Sequence, residues 1–185
     1  MMNYRILGRQ MEFGKPNYRG LFRKEPYYIE KETDPELFQL WSWYATEAGD
    51  AGFIHDIELA KRVVEAYRKR GESFEIVLVS FTQLTEDGVK FLGIDVASIG
   101  GYSQLYHGLE YSLFTQGDSL SSSSGITAIL KLVQMYFTPL LNKHCLFDNL
   151  HDARLFLNII SEIRTFCPGA FEEDITIDLY FLYKV

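Results

Sequence analysis

Cysteine is nearly missing from this chain: Cys145 and Cys167 are the only two in 185 residues. That excludes a disulfide framework for a protein of this size, and the pair reads as two free, buried thiols, with a single disulfide between them as the alternative. Long apolar runs are also lacking. No stretch approaches the roughly 20 residues that cross a bilayer, and the start, Met1-Met2-Asn3-Tyr4-Arg5-Ile6-Leu7-Gly8-Arg9, holds no apolar signal-peptide segment. The expectation is a cytoplasmic protein with no membrane partner. Positive charge is scarce as well, 18 Lys and Arg against 25 Asp and Glu, for a net charge of -7. The deficit is concentrated in residues 71–125, where one cation faces seven acids, while residues 1–32 carry seven cations against four acids. Neutralising phosphates needs a basic surface, so nucleic acid is not an expected partner.

Metal-ligating residues are few. His144, Cys145 and His151 lie near Asp148 and Asp152, but zinc takes four closely arranged ligands and no second Cys or His pair completes the set. Asp152 falls in the first turn of a predicted helix, where the macrodipole alone favours an acid. His55 and His107 stand singly near turns. Neither a metal nor a cofactor is expected. Cys145 beside His144 does not make an activated thiol, because neighbours in the chain rarely point at each other and activation needs an electropositive site.

What the chain does have is material for a core. Hydrophobic residues make up 47% and aromatics 15%, enough for one sizeable core and little for a second, so a single domain over 1–185 is expected. Near the amino terminus, Tyr18, Arg19, Phe22, Arg23, Lys24, Tyr27 and Tyr28 interleave rings with cations as a strand-binding surface for nucleic acid would. The turn formers Gly14, Pro16, Gly20 and Pro26 among them point instead to short strands with solvated polar sides.

Asp34-Pro35 is a helix start, and Leu37, Leu40, Trp41, Tyr44, Ala45 and Ala48 follow at helical spacing. Trp43 lies off that stripe and needs a second element or a partner to cover it. Asp56 caps a second helix that buries Leu59, Ala60, Val63, Val64 and Tyr67 and ends at Arg68-Lys69-Arg70-Gly71, cations at the negative end of the dipole and glycine at the stop. Residues 74–81 form a nearly continuous β-branched and aromatic run, expected as a strand buried on both faces. Glu86-Asp87-Gly88 then turns the chain into a strand over 89–97, and the two read as a β-hairpin with Leu92, Ile94 and Val96 on one face and Asp95 on the other.

A helix over 126–141 is apolar apart from the stripe Thr127, Lys131, Gln134 and Thr138, and reads as a core helix wrapped on most sides. A last helix over 150–166 buries Ala153, Phe156, Ile159, Ile160 and Ile163. The final strand, 174–183, points Ile175, Ile177, Leu179 and Phe181 inward and keeps one polar face. Together these predict an α+β fold, an antiparallel or mixed sheet packed against about four helices.

Gly117-Asp118-Ser119-Leu120 spells the motif of a family of serine hydrolases, and Asp148-Asn149-Leu150-His151 supplies an Asp-x-x-His. Ser119 with His151 and Asp148 is therefore the catalytic alternative. In that family, however, the serine follows an apolar strand near the amino terminus and the histidine lies far downstream. Here Glu110 to Gln116 is no such strand. A serine-rich loop before an apolar helix supplies capping hydroxyls, with Ser124 or Gly125 as the local cap. The same loop lacks the lysine of a phosphate-binding loop.

The run from Phe91 to Leu105, FLGIDVASIGGYSQL, resembles a segment of small acidic bacterial immunity-type proteins, which neutralise a cognate toxin; Ile94 stands at the position of an aromatic residue in that segment. The resemblance implies a non-catalytic cytosolic binder, with a basic toxin domain as partner. The acidic and aromatic residues Trp43, Asp95, Asp118, Glu172, Glu173 and Asp174 are the expected contact surface. A small-molecule sensor with a pocket beside the helix over 126–141 is the remaining alternative.

Overall fold

Capping residues place the first two helices where their spacing puts them. The computed structural model describes residues 3–12, 15–20, 34–48, 54–72, 74–85, 88–99, 105–107, 124–144, 146–166 and 176–185. Helix α1 (Pro35–Ala48) opens on Asp34, whose Oδ1 accepts from the Leu37 amide at 3.1 Å. Helix α2 (Ile57–Arg68) opens on Asp56, which accepts from the amides of Glu58 at 2.9 Å and Leu59 at 3.1 Å. Each cap satisfies first-turn donors that have no partner inside the helix. Leu37, Leu40 and Tyr44 of α1 pack on Leu59, Ala60, Val63, Val64 and Tyr67 of α2, with Ile54 and Phe74 closing the cluster. Glu47, near the end of α1, accepts from the amides of His55 at 3.0 Å and Asp56 at 2.8 Å, which holds the connection to α2.

Arg70 adds a contact that helix-termination rules do not contain. Its guanidinium donates to both carboxylate oxygens of Asp34 and, through Nη1, to the Ala66 carbonyl at 2.6 Å. The start of α1 is thus clamped to the end of α2. The bidentate bond holds the Asp34 carboxyl below the usual carboxylate range and raises the Arg70 guanidinium in turn. The Tyr67 hydroxyl lies in this core without a hydrogen-bond partner, and burial pushes its pKa up to about 12.

Among the described residues six strands form one sheet: β1 (Asn3–Glu12), β2 (Lys15–Gly20), β3 (Phe74–Ser80), β4 (Lys90–Ile99), β5 (Leu105–His107) and β6 (Thr176–Lys184). Their order is β2-β1-β3-β6-β4-β5, and every neighbouring pair is antiparallel. With four described helices, the fold is α+β as the sequence predicts. The expected hairpin of β3 with β4 does not form. β6 lies between them, pairing Val77 with Lys184 on one side and Ile94 with Phe181 on the other. That central position also shortens the expected polar face of the last strand: Asp178 is exposed on it, but Tyr180 and Leu182 beyond are buried along with Phe181 and Tyr183, because both faces of the strand are covered there.

A register shift between Phe91 and Gly93 changes the faces of β4. Leu92 joins Val77, Val79, Leu146, Tyr180 and Leu182, whereas Ile94 and Val96 join the cluster on the other face. An extra residue in one strand reverses the alternation beyond it, which is why Leu92 does not share a face with Ile94. The loop 141–147 closes over the bulge. Asn142 Nδ2 donates to the Leu92 carbonyl at 2.8 Å, and Ile94 and Phe147 exchange backbone hydrogen bonds at 2.8 and 2.9 Å.

Helix α3 (Ser124–Phe137) runs into a 3-10 turn at Thr138–Leu140, and helix α4 (Leu150–Phe166) follows. Asn149 caps α4 reciprocally, accepting from the Asp152 amide at 2.9 Å and donating to its carboxylate at 2.6 Å. Ala153, Phe156 and Ile160 of α4 are fully buried in the cluster that holds Ile94, Val96 and Phe181, while Ile159 and Ile163 are half-buried. Phe137 of α3 enters the same cluster edge-on to Phe156, with ring centroids 5.0 Å apart. The opposite side of α3 is exposed, so the helix is not wrapped as its composition predicts. Periodicity identifies apolar positions; it does not say whether another element covers them.

Candidate functional site

The expected contact residues divide sharply. Trp43 projects from α1 with 45% of its surface exposed. The Arg62 guanidinium, on the outer side of α2, lies 5.5 Å from the centre of its ring. α1 and α2 pack through their inner stripes, and this sets Trp43 and Arg62 next to each other outside. A cation over an indole face is an electrostatic attraction that also restricts the ring, so the large aromatic is held in place before any partner arrives. Beside this pair runs a groove of about 320 Å³ lined by Glu36, Leu40, Glu58, Lys61, Arg62, Glu65, Ala66 and Lys69. Lys61 pairs with Glu58 at 2.7 Å and Arg68 with Glu65 at 2.8 Å, so the rim is a lattice of exposed ion pairs.

Asp95 is 4% exposed and sits on β4 opposite Tyr180, engaged inside the sheet. It does not belong to an outer surface. Strand alternation puts it on the face opposite Ile94, and the sequence does not reveal that this face is covered as well. Asp118, Ser119, Glu172, Glu173 and Asp174 lie outside the described residues.

Of the catalytic alternative, His151 and Asp148 are described. Both are exposed around the start of α4, and no hydrogen bond joins them. The Asp148 carboxylate instead accepts from Asn142 Nδ2 at 2.7 Å, which makes it a support of the loop over β4. Among the described residues no three His, Cys, Asp or Glu side chains are placed to hold a metal ion, and no helix is long and apolar enough to cross a membrane. A cavity of about 490 Å³ lies between α2 and the β3–β6 end of the sheet, with Val64, Phe74, Ile76 and Val77 in its walls and Lys61, Arg68 and Lys184 on its rim. It is not the pocket expected beside α3.

Arg62 is the residue of this site that sequence reasoning missed. Its only signal is a cation on the outer face of an amphipathic helix, which is ordinary for a solvated side chain. No family model matches the chain, and no curated protein or solved structure matches it.

Proposed function

We propose that this protein is a non-catalytic binding module that covers a basic protein partner, as an immunity protein covers a toxin. The observation that carries this reading is Trp43, exposed on α1 and braced by Arg62. Trp and Arg are the side chains most enriched where binding energy concentrates, and a ring that is already held loses little freedom on docking. The net charge of -7 supplies long-range attraction to a cationic partner. The residues behind the pair are the apolar interior of α1 and α2, so the site stands on a rigid support.

The test uses tagged protein in its native host, with chemical cross-linking and identification of the linked peptides. One basic protein captured at equal stoichiometry, with cross-links to α1 and α2, is the expected result. Trp43→Ala should weaken that complex by about 30-fold, the effect of losing roughly 2 kcal/mol at a central aromatic contact. The partner should also arrest cell growth when expressed alone and not when this protein is present. Capture that is equal for wild type and Trp43→Ala overturns the site. Ester hydrolysis lost in Ser119→Ala, with no stoichiometric partner, overturns the function.

A further inference from the structure

Between α2 and the sheet lies a cavity of about 490 Å³ that neither Trp43 nor Arg62 lines. Along β3, pairing with β6 runs from Ser80 to Val77 and stops at Lys184; Phe74, Glu75 and Ile76 extend three residues further and pair with β1 on their other edge. α2 lies across this extension with Ile57, Lys61, Val64, Glu65 and Arg68, whose spacings of four, three, one and three residues form one stripe of the helix. The walls are apolar, since Val64, Phe74 and Val77 are buried and Ile76 is half-buried. Every charged side chain of the lining is exposed, so charge is confined to the mouth. An apolar depth with polar groups at one end, in a volume within the roughly 300–1,000 Å³ of small-molecule sites, is the form of a pocket for one amphipathic ligand.

We propose that this cavity binds a single-chain aliphatic carboxylate, with its tail between α2 and β3 and its carboxylate at the end of β6. Charge at the mouth selects the sign of the head group. Glu58 and Glu65 already occupy Lys61 and Arg68, at 2.7 and 2.8 Å. Lys184 differs, because the residue directly opposite it on β4 is Lys90. Like charges facing each other across two strands are unfavourable. Among the described residues no carboxylate lies within ion-pair distance of either lysine. A ligand carboxylate between the two ammonium groups relieves their repulsion and accepts hydrogen bonds from both. A monoanion suits the mouth better than a phosphate dianion, because Glu65 and Glu75 stand on the same rim.

Isothermal titration calorimetry of the full chain with hexanoate, octanoate and decanoate, each below its micelle concentration, tests both halves of the site. One ligand per chain is expected, tightening by about fourfold for each methylene that enters the cavity. Lys184→Glu should weaken decanoate by about fivefold or more and leave decanol, which has the same tail and no charge, unchanged. Lys184 is exposed, so the melting curve of that variant without ligand should match wild type and serves as the folding control. Ile57→Trp places a large ring in the mouth from a half-buried position and should abolish binding of decanoate and decanol together. Trp43→Ala should leave decanoate binding unchanged, which separates this cavity from the partner site on α1. Affinity that does not rise with chain length, decanol bound as tightly as decanoate, or decanoate binding indifferent to both Lys184→Glu and Ile57→Trp overturns the proposal.

Discussion

At Gly93 the backbone takes φ +148°, and the space where a side chain would begin is occupied. A Cβ there would lie 2.5 Å from Leu146 Cβ and 3.1 Å from the Phe147 carbonyl oxygen. Neither neighbour is the free end of a flexible chain, so relief requires the 141–147 loop to move off β4. That loop is held by the two Ile94–Phe147 backbone bonds and by Asn142. Gly93→Ala should therefore destabilise the protein by about 2–4 kcal/mol, the range of overpacking with backbone strain, read as the free energy of chemical unfolding. A loss below about 0.5 kcal/mol, the level of an ordinary surface substitution, would mean that the loop yields freely. In sequence Gly93 stands out only as a glycine inside a strand pattern, and neither the bulge at Leu92 nor the loop that descends on it is visible there.

At the scale of elements, α1 and α2 are joined twice, by their apolar stripes and by the Arg70–Asp34 bond. The bond also fixes the cap of α1, since Asp34 accepts from the Leu37 amide. Arg70→Met should lower stability at neutral pH by about 1–2 kcal/mol, less than a fully buried charge pair because both side chains are partly exposed. The pH dependence follows from the lowered Asp34 carboxyl. Its contribution is complete above the unfolded value of 3.8 and is lost as the pH falls below it through the folded value. The gap between wild type and Arg70→Met should therefore be constant from pH 7 to about 5 and narrow toward pH 3, which unfolding curves at each pH will measure. A gap that widens in acid would refute the assigned cause. The boundaries of these helices were legible because a cap and a stripe are local. The clamp was not, because it joins positions 36 residues apart.

At the scale of the whole molecule, β6 is the seam of the sheet. It pairs with β3, which belongs with β1, β2 and the α1–α2 pair, and with β4, which belongs with β5 and α4. A chain ending at residue 175 should lose its cooperative thermal transition and bind a hydrophobic dye, because the inner edges of β3 and β4 and the faces of Leu78, Ile94 and Val96 would open to water. A truncated chain that melts in one sharp step near the wild-type temperature would show that the two halves close without it.

The amino-acid sequence by itself determined the α+β class, the starts of α1 and α2, the span of α4 and their buried stripes, because caps and periodicity act within a few residues of one another. Only the tertiary structure decided that β6 separates β3 from β4, that Asp95 is interior, that Leu92 changes face, and that α3 turns an apolar side outward. Each of these depends on what lies across a face or an edge from a residue. That neighbour comes from a distant part of the chain, so no local pattern encodes it.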